Sequence, residues 1–390
     1  MLTLAVFADD LTGALDTGVQ FAASGVKTAV TAGQTPPENC TVAVCDIRTR
    51  HVSPAEALSR TQKALRHALA HGAQYLYIKT DSGMRGNIGS ELAALYAVNG
   101  RVFFAPSYPE NGRITVRGMH FIDGVPVSRS LFGHDAQNPV RHDRVADILH
   151  ETADLPLYEL RAGEAIPDTQ GVFLADAETD EELAAHAKAA LRAGITCFAG
   201  CAGLAKQLAP ALKLPHGADR PRFSRGKLLT VCGSISPISL KQIAAARSAN
   251  IPCFRLRDIV KKGYDGLWDT LQHSGCAVVA SAFEEADICK NDLAGLTVET
   301  VAMHLGVLAC HAIDRYDCGL FVIGGDTLAA VVQSLGSCTI VPSFEASSGV
   351  VVCTLLREGA ERLLVTKSGS FGGQDAITGI LRRYTADRLP

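Results

Sequence analysis

The fold is decided by the opening stretch of the chain, Leu2-Thr-Leu-Ala-Val-Phe-Ala-Asp9-Asp10-Leu-Thr12-Gly13-Ala-Leu-Asp16. Its first seven residues are rich in apolar side chains and predict a buried strand. The residues from Thr17 to Gly25 predict a helix that ends at a glycine. A strand that runs into a helix places the turn between them at the carboxyl end of a parallel sheet, where ligands bind in open α/β folds.

Two adjacent carboxylates, Asp9 and Asp10, stand at this turn. They can accept hydrogen bonds from substrate hydroxyls, take a proton from one of them, or hold Mg²⁺. In the structural alternative, Asp10 caps the helix and Asp9 is solvated. Capping explains one carboxylate, but not a pair followed by a third at Asp16. We therefore expect a functional site here, with Asp9 and Asp10 as the candidate catalytic residues.

One class of phosphatase is excluded by the spacing of these carboxylates. Haloacid-dehalogenase-type phosphatases need Asp-x-Asp after their first strand. Here Leu11 stands two residues after Asp9, and Thr12 stands two residues after Asp10. The second carboxylate of that motif is missing.

The composition is ordinary for a soluble globular chain. The 390 residues predict two or three domains, and 47% are hydrophobic and 20% charged. The net charge of −3 gives no basic surface for nucleic acid, and no apolar run is long enough to span a bilayer. The chain begins with a strand rather than a basic leader, so no signal peptide is predicted. We expect neither a nucleic-acid nor a membrane partner.

The twelve cysteines predict a reduced, cytoplasmic protein without structural zinc. Most of them lie in apolar runs, where a free thiol behaves as a small hydrophobic group. No Cys-x-x-Cys spacing occurs.

A second polar cluster follows a strand predicted at Tyr75–Ile78, and its sequence is Lys79-Thr80-Asp81-Ser82-Gly83-Met-Arg85-Gly86-Asn87. Its cationic side chains can bind a carboxylate or a phosphate, and its other polar side chains can recognise hydroxyls. A solvated loop is the alternative, but a second polar cluster at the same end of the sheet favours a binding site. The candidate substrate-binding residues here are Lys79, Thr80, Asp81, Ser82, Arg85 and Asn87.

Arg50 follows a third predicted strand, Thr41–Asp46. A basic residue at a strand end can hold an anion, although exposed surface arginines are also common. Directly after it, Ser53 and Glu56 form a capping box that predicts a helix to about His71.

The best candidate for a linker is the segment 215–226, where proline, glycine and charged residues cluster. It predicts domains at residues 1–220 and 226–390. Strand and helix patterns alternate on both sides of it, which indicates two α/β domains with mainly parallel sheets.

Three glycine-marked strand ends occur in the second half of the chain. They are Gly233-Ser234-Ile-Ser236, Gly324-Gly325-Asp326-Thr327 and Lys367-Ser368-Gly369-Ser370. Backbone N–H groups and hydroxyls before a helix suit phosphate oxygens, and Asp326 could hold Mg²⁺ or a ribose. Each turn alone is also common as a purely structural feature.

Together these motifs resemble the four-carbon acid sugar kinase family. The residues that carry the resemblance are Ala8-Asp9-Asp10-Leu-Thr-Gly13-Ala-x-Asp16, Lys79-Thr80-Asp81-Ser82-x-x-Arg85-Gly86-Asn87, Gly324-Gly325-Asp326-Thr327 and Lys367-Ser368-Gly369-x-Phe371-Gly372. The resemblance implies an N-terminal sugar-acid domain, a C-terminal ATP domain and an active site in the cleft between them. It implies ATP-dependent phosphorylation of the terminal hydroxyl of a four-carbon sugar acid. D-threonate is the first expectation, with D-erythronate, L-threonate or a 3-oxo-tetronate as alternatives.

The resemblance also implies roles for individual residues. Asp9, Arg50 and the Lys79–Ser82 turn would bind the acid. The residues expected to bind ATP are Ser234, Gly324, Gly325, Asp326, Thr327, Lys367, Ser368, Gly369 and Ser370, with Asp326 as the Mg²⁺ ligand. Two departures from the family pattern concern the substrate: Gly83-Met84 replaces the usual Ser/Thr and apolar residue, and Ser347-Ser348-Gly349 replaces a Pro-Gly pair.

The expected cofactors are therefore ATP and Mg²⁺, and the expected partner is a small sugar acid. A homodimer is a further possibility that the sequence leaves open. Two rival functions use the same acid. An ATP-dependent ligase would need a second nucleophile, and a non-catalytic sugar-acid sensor would not need the glycine-rich turns.

Overall fold

The protein is described by a computed structural model that covers residues 2–33, 35–37, 39–135, 137–217, 223, 225–289 and 297–385. The chain forms two compact units, an N-terminal unit (Met1–Asp219) and a C-terminal unit (Arg220–Pro390). Part of the linker predicted at 215–226 lies outside the described residues. No helix in the described ranges is both long and apolar enough to cross a bilayer.

The N-terminal unit alternates strands and helices. Its strands are β1 (Leu4–Ala8), β2 (Thr28–Ala32), β3 (Val42–Asp46), β4 (Tyr75–Lys79), β5 (Arg101–Ala105), β6 (Arg113–Val116), β7 (Met119–Ile122), β8 (Val125–Pro126), β9 (Leu157–Leu160), β10 (Gly171–Ala175) and β11 (Cys197–Gly200). Its helices are α1 (Leu11–Ala23), α2 (Pro54–Ala70), α3 (Ile88–Asn99), α4 (Val145–His150), α5 (Asp180–Arg192) and α6 (Ala202–Ala211). Short 3₁₀ helices occupy Pro109–Asn111, Val127–Arg129 and Leu131–His134.

A parallel sheet forms the centre of this unit. Its strand order is β2-β3-β1-β4-β11-β5-β10-β9, and every neighbouring pair is parallel. All five residues of β1 are buried, as expected for a strand covered on both faces. The strands β6, β7 and β8 form a separate antiparallel sheet.

The start of α1 differs from the sequence prediction. The helix begins at Leu11 rather than Thr17, because Asp10 is its N-cap and its Oδ1 accepts a hydrogen bond from the backbone N–H of Gly13 at 2.6 Å. The N-cap predicted before α2 is confirmed, since Ser53 Oγ accepts from the Glu56 N–H at 3.3 Å, whereas the Glu56 carboxylate accepts from Arg60. Thr12 and Gly13 looked like turn residues in the sequence, but they belong to the first turn of α1.

The C-terminal unit contains seven strands among its described residues. They are β12 (Leu228–Cys232), β13 (Cys253–Arg255), β14 (Cys276–Ala280), β15 (Gly319–Ile323), β16 (Thr339–Ser347), β17 (Val350–Arg357) and β18 (Ala360–Lys367). The helices are α7 (Pro237–Ser248), α8 (Leu256–Lys262), α9 (Asp265–Ser274), α10 (Glu285–Cys289), α11 (Val298–Tyr316), α12 (Gly325–Leu335) and α13 (Ala376–Tyr384).

The sheet of this unit is parallel through β13-β14-β12-β15-β18 and continues antiparallel through β17 and β16. The sequence predicted β17 but missed β16, because Pro342 lies inside that strand and a proline argues against a strand interior. The structure accommodates it with a register shift between Pro342 and Phe344. The predicted class, two α/β domains with mainly parallel sheets, is confirmed.

Candidate functional site

The carboxyl ends of β1, β3 and β4 lie side by side in the N-terminal unit. In the strand register, Ala8 at the end of β1 is opposite both Asp46 on β3 and Lys79 on β4. The residues that follow these strands therefore meet at one edge of the sheet. This edge brings the Asp9-Asp10 pair, Arg50 and the Lys79–Asn87 segment together, and we call that segment the acid loop.

Arg50 is the centre of this arrangement, and it is buried, with 8% of its surface exposed. Its Nε and Nη2 donate to the two carboxylate oxygens of Asp9 at 2.7 and 2.9 Å, while Nη1 donates to Asp10 Oδ2 at 2.5 Å. Its Nη2 also lies 3.5 Å from Asp81 Oδ1. One guanidinium thus joins three carboxylates from two strand ends, in the forked geometry that arginine provides.

Asp9 and Asp10 differ in accessibility. The side chain of Asp9 is 2% exposed, whereas that of Asp10 is 28% exposed. Burial raises the pKa of Asp9, and the charge of Asp10 adds to this, although Arg50 opposes both effects. The structural alternative is thus right that Asp10 caps α1, but a solvated Asp9 is wrong, because Arg50 holds that carboxylate in the interior.

Arg85 is held between two carboxylates of its own. Its Nε and Nη2 donate to Asp81 at 2.8 and 3.0 Å, and its Nη1 donates to Asp135 Oδ2 at 2.9 Å. Burial alone would raise the pKa of Asp81, but the charges of Arg85 and Arg50 outweigh it and hold that pKa well below its usual range. Asp81 is therefore ionised and connects the two arginines.

The other predicted acid-binding residues occupy different positions around the cluster. Lys79 is buried, and its Nζ donates to the Thr80 carbonyl at 2.7 Å. The Thr80 hydroxyl is buried without a hydrogen-bond partner among the described residues. Asn87 Nδ2 donates to the carbonyls of Thr49 and Val52 at 2.8 and 2.9 Å, so it holds the segment that carries Arg50.

Ser82 is held through its backbone. The carbonyl of Ser82 lies 3.1 Å from His120 Nε2, and His120 Nδ1 lies 3.1 Å from the Thr115 hydroxyl. Because a carbonyl only accepts, Nε2 carries the proton and Nδ1 accepts. Burial lowers the pKa of His120 to about 4, so the ring stays neutral at physiological pH.

Two buried carboxylates near Arg50 received no role from the sequence. Burial and the neighbouring Asp9 raise the pKa of Glu91, on α3, to about 8. Burial and Asp10 raise the pKa of Asp46 to about 7. The position of Asp46 at the end of β3 could have marked it in the sequence as a candidate site residue. For Glu91 the only such indication is its position four residues after Asn87.

In the C-terminal unit, the three glycine-marked turns converge on Ser234. A Cβ added at Gly369 would collide with Ser234 Oγ, and one added at Gly324 would lie 3.4 Å from Ser234 N. Ser236 Oγ donates to the Gly369 carbonyl at 2.6 Å. The turns therefore form one glycine-lined surface beside the first turns of α7 and α12, which is the kind of surface that phosphate groups occupy.

The turn before α12 requires a glycine. Gly324 has φ of 111°, and its N–H donates to the Lys367 carbonyl at 2.9 Å. The sequence predicted that α12 begins at Leu328, but it begins at Gly325, so Asp326 and Thr327 lie in its first turn. Thr327 is buried, while Asp326 is exposed.

The last turn is shaped by Lys367. Its Nζ donates to the carbonyls of Ser368 and Gly369 at 2.7 and 3.3 Å, and burial lowers its pKa to about 8. Ser370 is exposed beyond it. In the part of the chain that the structure describes, no group of three or more His, Cys, Asp or Glu side chains could hold a metal ion. Magnesium at a nucleotide site needs only one or two carboxylates beside the phosphates, and the exposed Asp326 fits that requirement.

Comparison with known proteins also divides the chain into an N-terminal and a C-terminal domain. Residues 4–208 match the sugar-binding N-terminal domain family, and residues 229–377 match the nucleotide-binding C-terminal domain family. A D-threonate kinase of Cupriavidus necator is 31% identical, over 99% of this chain and 99% of its own. The chain belongs to the four-carbon acid sugar kinase family.

Members of the family named for different substrates resemble this chain. A D-erythronate kinase of Heliobacterium modesticaldum is 28% identical over 96% of this chain and 95% of its own. The crystal structure of a Salmonella typhimurium LT2 protein has the same fold, with a TM-score of 0.83 and 22% identity over 99% of this chain and 100% of that one. The family resemblance and the phosphotransferase activity expected from the sequence are confirmed.

Proposed function

We propose that this family member transfers the γ-phosphoryl group of ATP to the terminal hydroxyl of a four-carbon sugar acid, with D-threonate as the first candidate. The observation that carries the proposal is the Arg50 cluster, which gathers Asp9, Asp10 and Asp81 at the end of the sheet. D-threonate is favoured by the D-threonate kinase that is 31% identical over nearly the full chain. D-erythronate, L-threonate and 3-oxo-tetronate are the alternatives.

Asp10 is the proton acceptor in this proposal. A general base must reach the hydroxyl that it deprotonates, so geometry is the first criterion. Both oxygens of Asp9 accept from Arg50 in the interior, whereas Asp10 has the more accessible side chain. Arg50 and the Gly13 N–H fix the two oxygens of Asp10, so the carboxylate is already oriented when the acid arrives. Asp9 then acts as a positioning residue for Arg50.

The acid loop provides the groups that recognise the acid. One of the three Lys79 N–H groups donates to the Thr80 carbonyl, and the ammonium adds positive charge for the substrate carboxylate. The unpartnered Thr80 hydroxyl and the Ser82 side chain suit the substrate hydroxyls. Arg50 and Arg85 contribute positive charge without donating directly to the acid, because their N–H groups already donate to protein carboxylates. Asn87 keeps Arg50 in place.

The glycine-lined surface of the C-terminal unit would hold ATP. In this proposal the hydroxyls of Ser234 and Thr327 and the backbone N–H groups of Gly324, Gly325 and Gly369 contact phosphate oxygens, which their grouping beside the first turns of α7 and α12 supports. Lys367, Ser368 and Ser370 form the adjoining turn, and Asp326 would be the Mg²⁺ ligand. When bound, Mg²⁺ supplies positive charge to the phosphates, and the protein contributes mainly by positioning.

The experiment that tests this function is ADP release with ATP, Mg²⁺ and a panel of tetronates. The panel contains D- and L-threonate, D- and L-erythronate and the 3-oxo acids. We expect turnover with at least one acid and a monophosphorylated acid as the product. A product joined to a second nucleophile would favour the ligase. Acid binding without ADP release would contradict the kinase.

A further inference from the structure

Gly83 lies in the middle of the acid loop. A glycine is needed there because of a neighbouring side chain and not because of the backbone conformation. Gly86, three residues later, has a φ of 88°, but Gly83 does not adopt a positive φ. A Cβ added at Gly83 would nevertheless collide with three ring atoms of Phe132. The ring therefore occupies the volume that any side chain at residue 83 would take.

Phe132 is held firmly in this position. It lies in the 3₁₀ helix Leu131–His134, and its N–H donates to Ser130 Oγ at 3.2 Å. Its carbonyl accepts from the Val140 N–H at 3.1 Å, and only 8% of the residue is exposed. The two hydrogen bonds hold the backbone of this residue, and close packing around the buried ring limits the movement of its side chain.

The segment around Phe132 is also attached to the acid loop by charge. The Arg85 guanidinium lies over the Phe132 ring at 5.0 Å from its centroid, and the same guanidinium donates to Asp135 at 2.9 Å. Arg85 also donates to Asp81, which lies 3.5 Å from Arg50. The Arg85 side chain thus contacts both Phe132 and Asp81, and it links the segment around Phe132 to the Arg50 cluster. We call the segment Val127–Asp135 the strap.

We propose that the Gly83–Phe132 contact sets the size of the acid that this kinase accepts, with the strap closing one side of the acid loop. This inference rests on the proposed function, because it assigns the acid to that loop. The apolar Phe132 ring fills the space beside Gly83, so a longer acid bound at the acid loop would lack both room and a hydrogen-bond partner there for a further hydroxyl-bearing carbon. An unpaired hydroxyl and the lack of space both disfavour such a substrate. Five-carbon aldonic acids are the class that the contact excludes.

The test compares kcat/KM for the preferred tetronate with kcat/KM for a five-carbon aldonic acid of matching configuration. Phe132→Ala removes the ring, so we expect the ratio to shift toward the longer acid by about 10-fold or more, the range for steric discrimination in a pocket. Phe132→Leu should shift it less, in the same direction, and serves if the alanine variant does not fold. Phe283→Ala is the matched control, because Phe283 is also 8% exposed, lies beneath Arg247 and Arg255, and belongs to the C-terminal unit. It should leave the ratio unchanged.

A double variant tests the contact itself. Gly83→Ser alone should lower kcat/KM for the tetronate, because the serine displaces the ring. In Gly83→Ser/Phe132→Ala the serine has room, so we expect about a 10-fold recovery over Gly83→Ser. An unchanged selectivity ratio in Phe132→Ala and Phe132→Leu, with a wild type that turns over a tetronate, overturns this inference and leaves the proposed function intact. A wild type that turns over no tetronate overturns both.

Discussion

The edge of the N-terminal sheet that carries Arg50 and the glycine-lined surface of the C-terminal unit are built in opposite ways. The first is made of buried charged side chains, with Arg50 joining Asp9, Asp10 and Asp81. The second is made of backbone and hydroxyl groups, where Gly324 and Gly369 approach Ser234 closely. We therefore expect substitutions that remove a charge to be most damaging in the first region. In the second region, we expect the most damaging substitutions to be those that add a side chain at a glycine.

Arg50→Met should give the largest effect on stability. It leaves buried Asp9 and Asp81 without their shared cation, and breaking a buried ion pair from one side costs about 3–5 kcal/mol. Urea unfolding measures the change. Arg144→Met is the control, because Arg144 is 46% exposed and pairs with Glu159 on the surface, where a pair contributes about 1 kcal/mol or less. Equal losses in the two variants would contradict a stabilising role for the cluster.

Gly369→Ala tests the opposite mechanism in the C-terminal unit. The added methyl group meets Ser234 Oγ and lies 3.1 Å from Ser234 Cβ, so we expect KM for ATP to rise about 10-fold while KM for the acid stays constant. Gly379→Ala places the same methyl group on α13 with no atom within 4 Å. It should leave both KM values unchanged and stabilise the fold by about 0.5–1 kcal/mol. A rise in both KM values for Gly369→Ala would contradict a role of this surface in binding ATP alone.

A further prediction concerns the pH dependence of stability. Burial and Asp9 raise the pKa of Glu91 from 4.5 to about 8, while Arg50, Lys79 and Thr49 oppose that rise. Between these values the folded state binds a proton that the unfolded state has lost, so stability falls as pH rises from about 4.5 to about 8. Glu91→Gln should reduce the slope of Tm against pH in this range, and the raised pKa of Asp46 leaves part of the slope in place. Glu56→Gln, on the surface of α2, should leave the wild-type slope in place.

The sequence predicted β1, β4 and β15 because they are short apolar runs with clear ends: β1 and β4 run into polar residues, and β15 runs into two glycines. It placed the start of α1 too late because Thr12 and Gly13 resemble turn residues. The cap at Asp10 decides the start instead, and it depends on a single hydrogen bond to the Gly13 N–H.

The candidate site was predictable as a set of residues, but its contacts were not. Asp9 and Arg50 are 41 residues apart, and their pairing depends on the register of β1 against β3. The contact of Phe132 with Gly83 joins the acid loop to a segment without periodicity, so no local pattern indicates it. Both contacts follow from tertiary packing, which single-sequence patterns do not encode.

ADP release by Asp10→Asn and wild type, measured side by side with ATP, Mg²⁺ and D-threonate, tests the central claim. Asparagine also caps helices, but its single amide oxygen can accept from only one of the two donors that hold Asp10, the Gly13 N–H and Arg50, so urea unfolding of the variant is the control for folding. We predict that turnover falls by about 10²–10⁴, the range for a general base, while the acid still binds. Full turnover in Asp10→Asn would contradict the proposed catalytic role, because Asp10, the more accessible carboxylate of the Arg50 cluster, would then be only a helix cap.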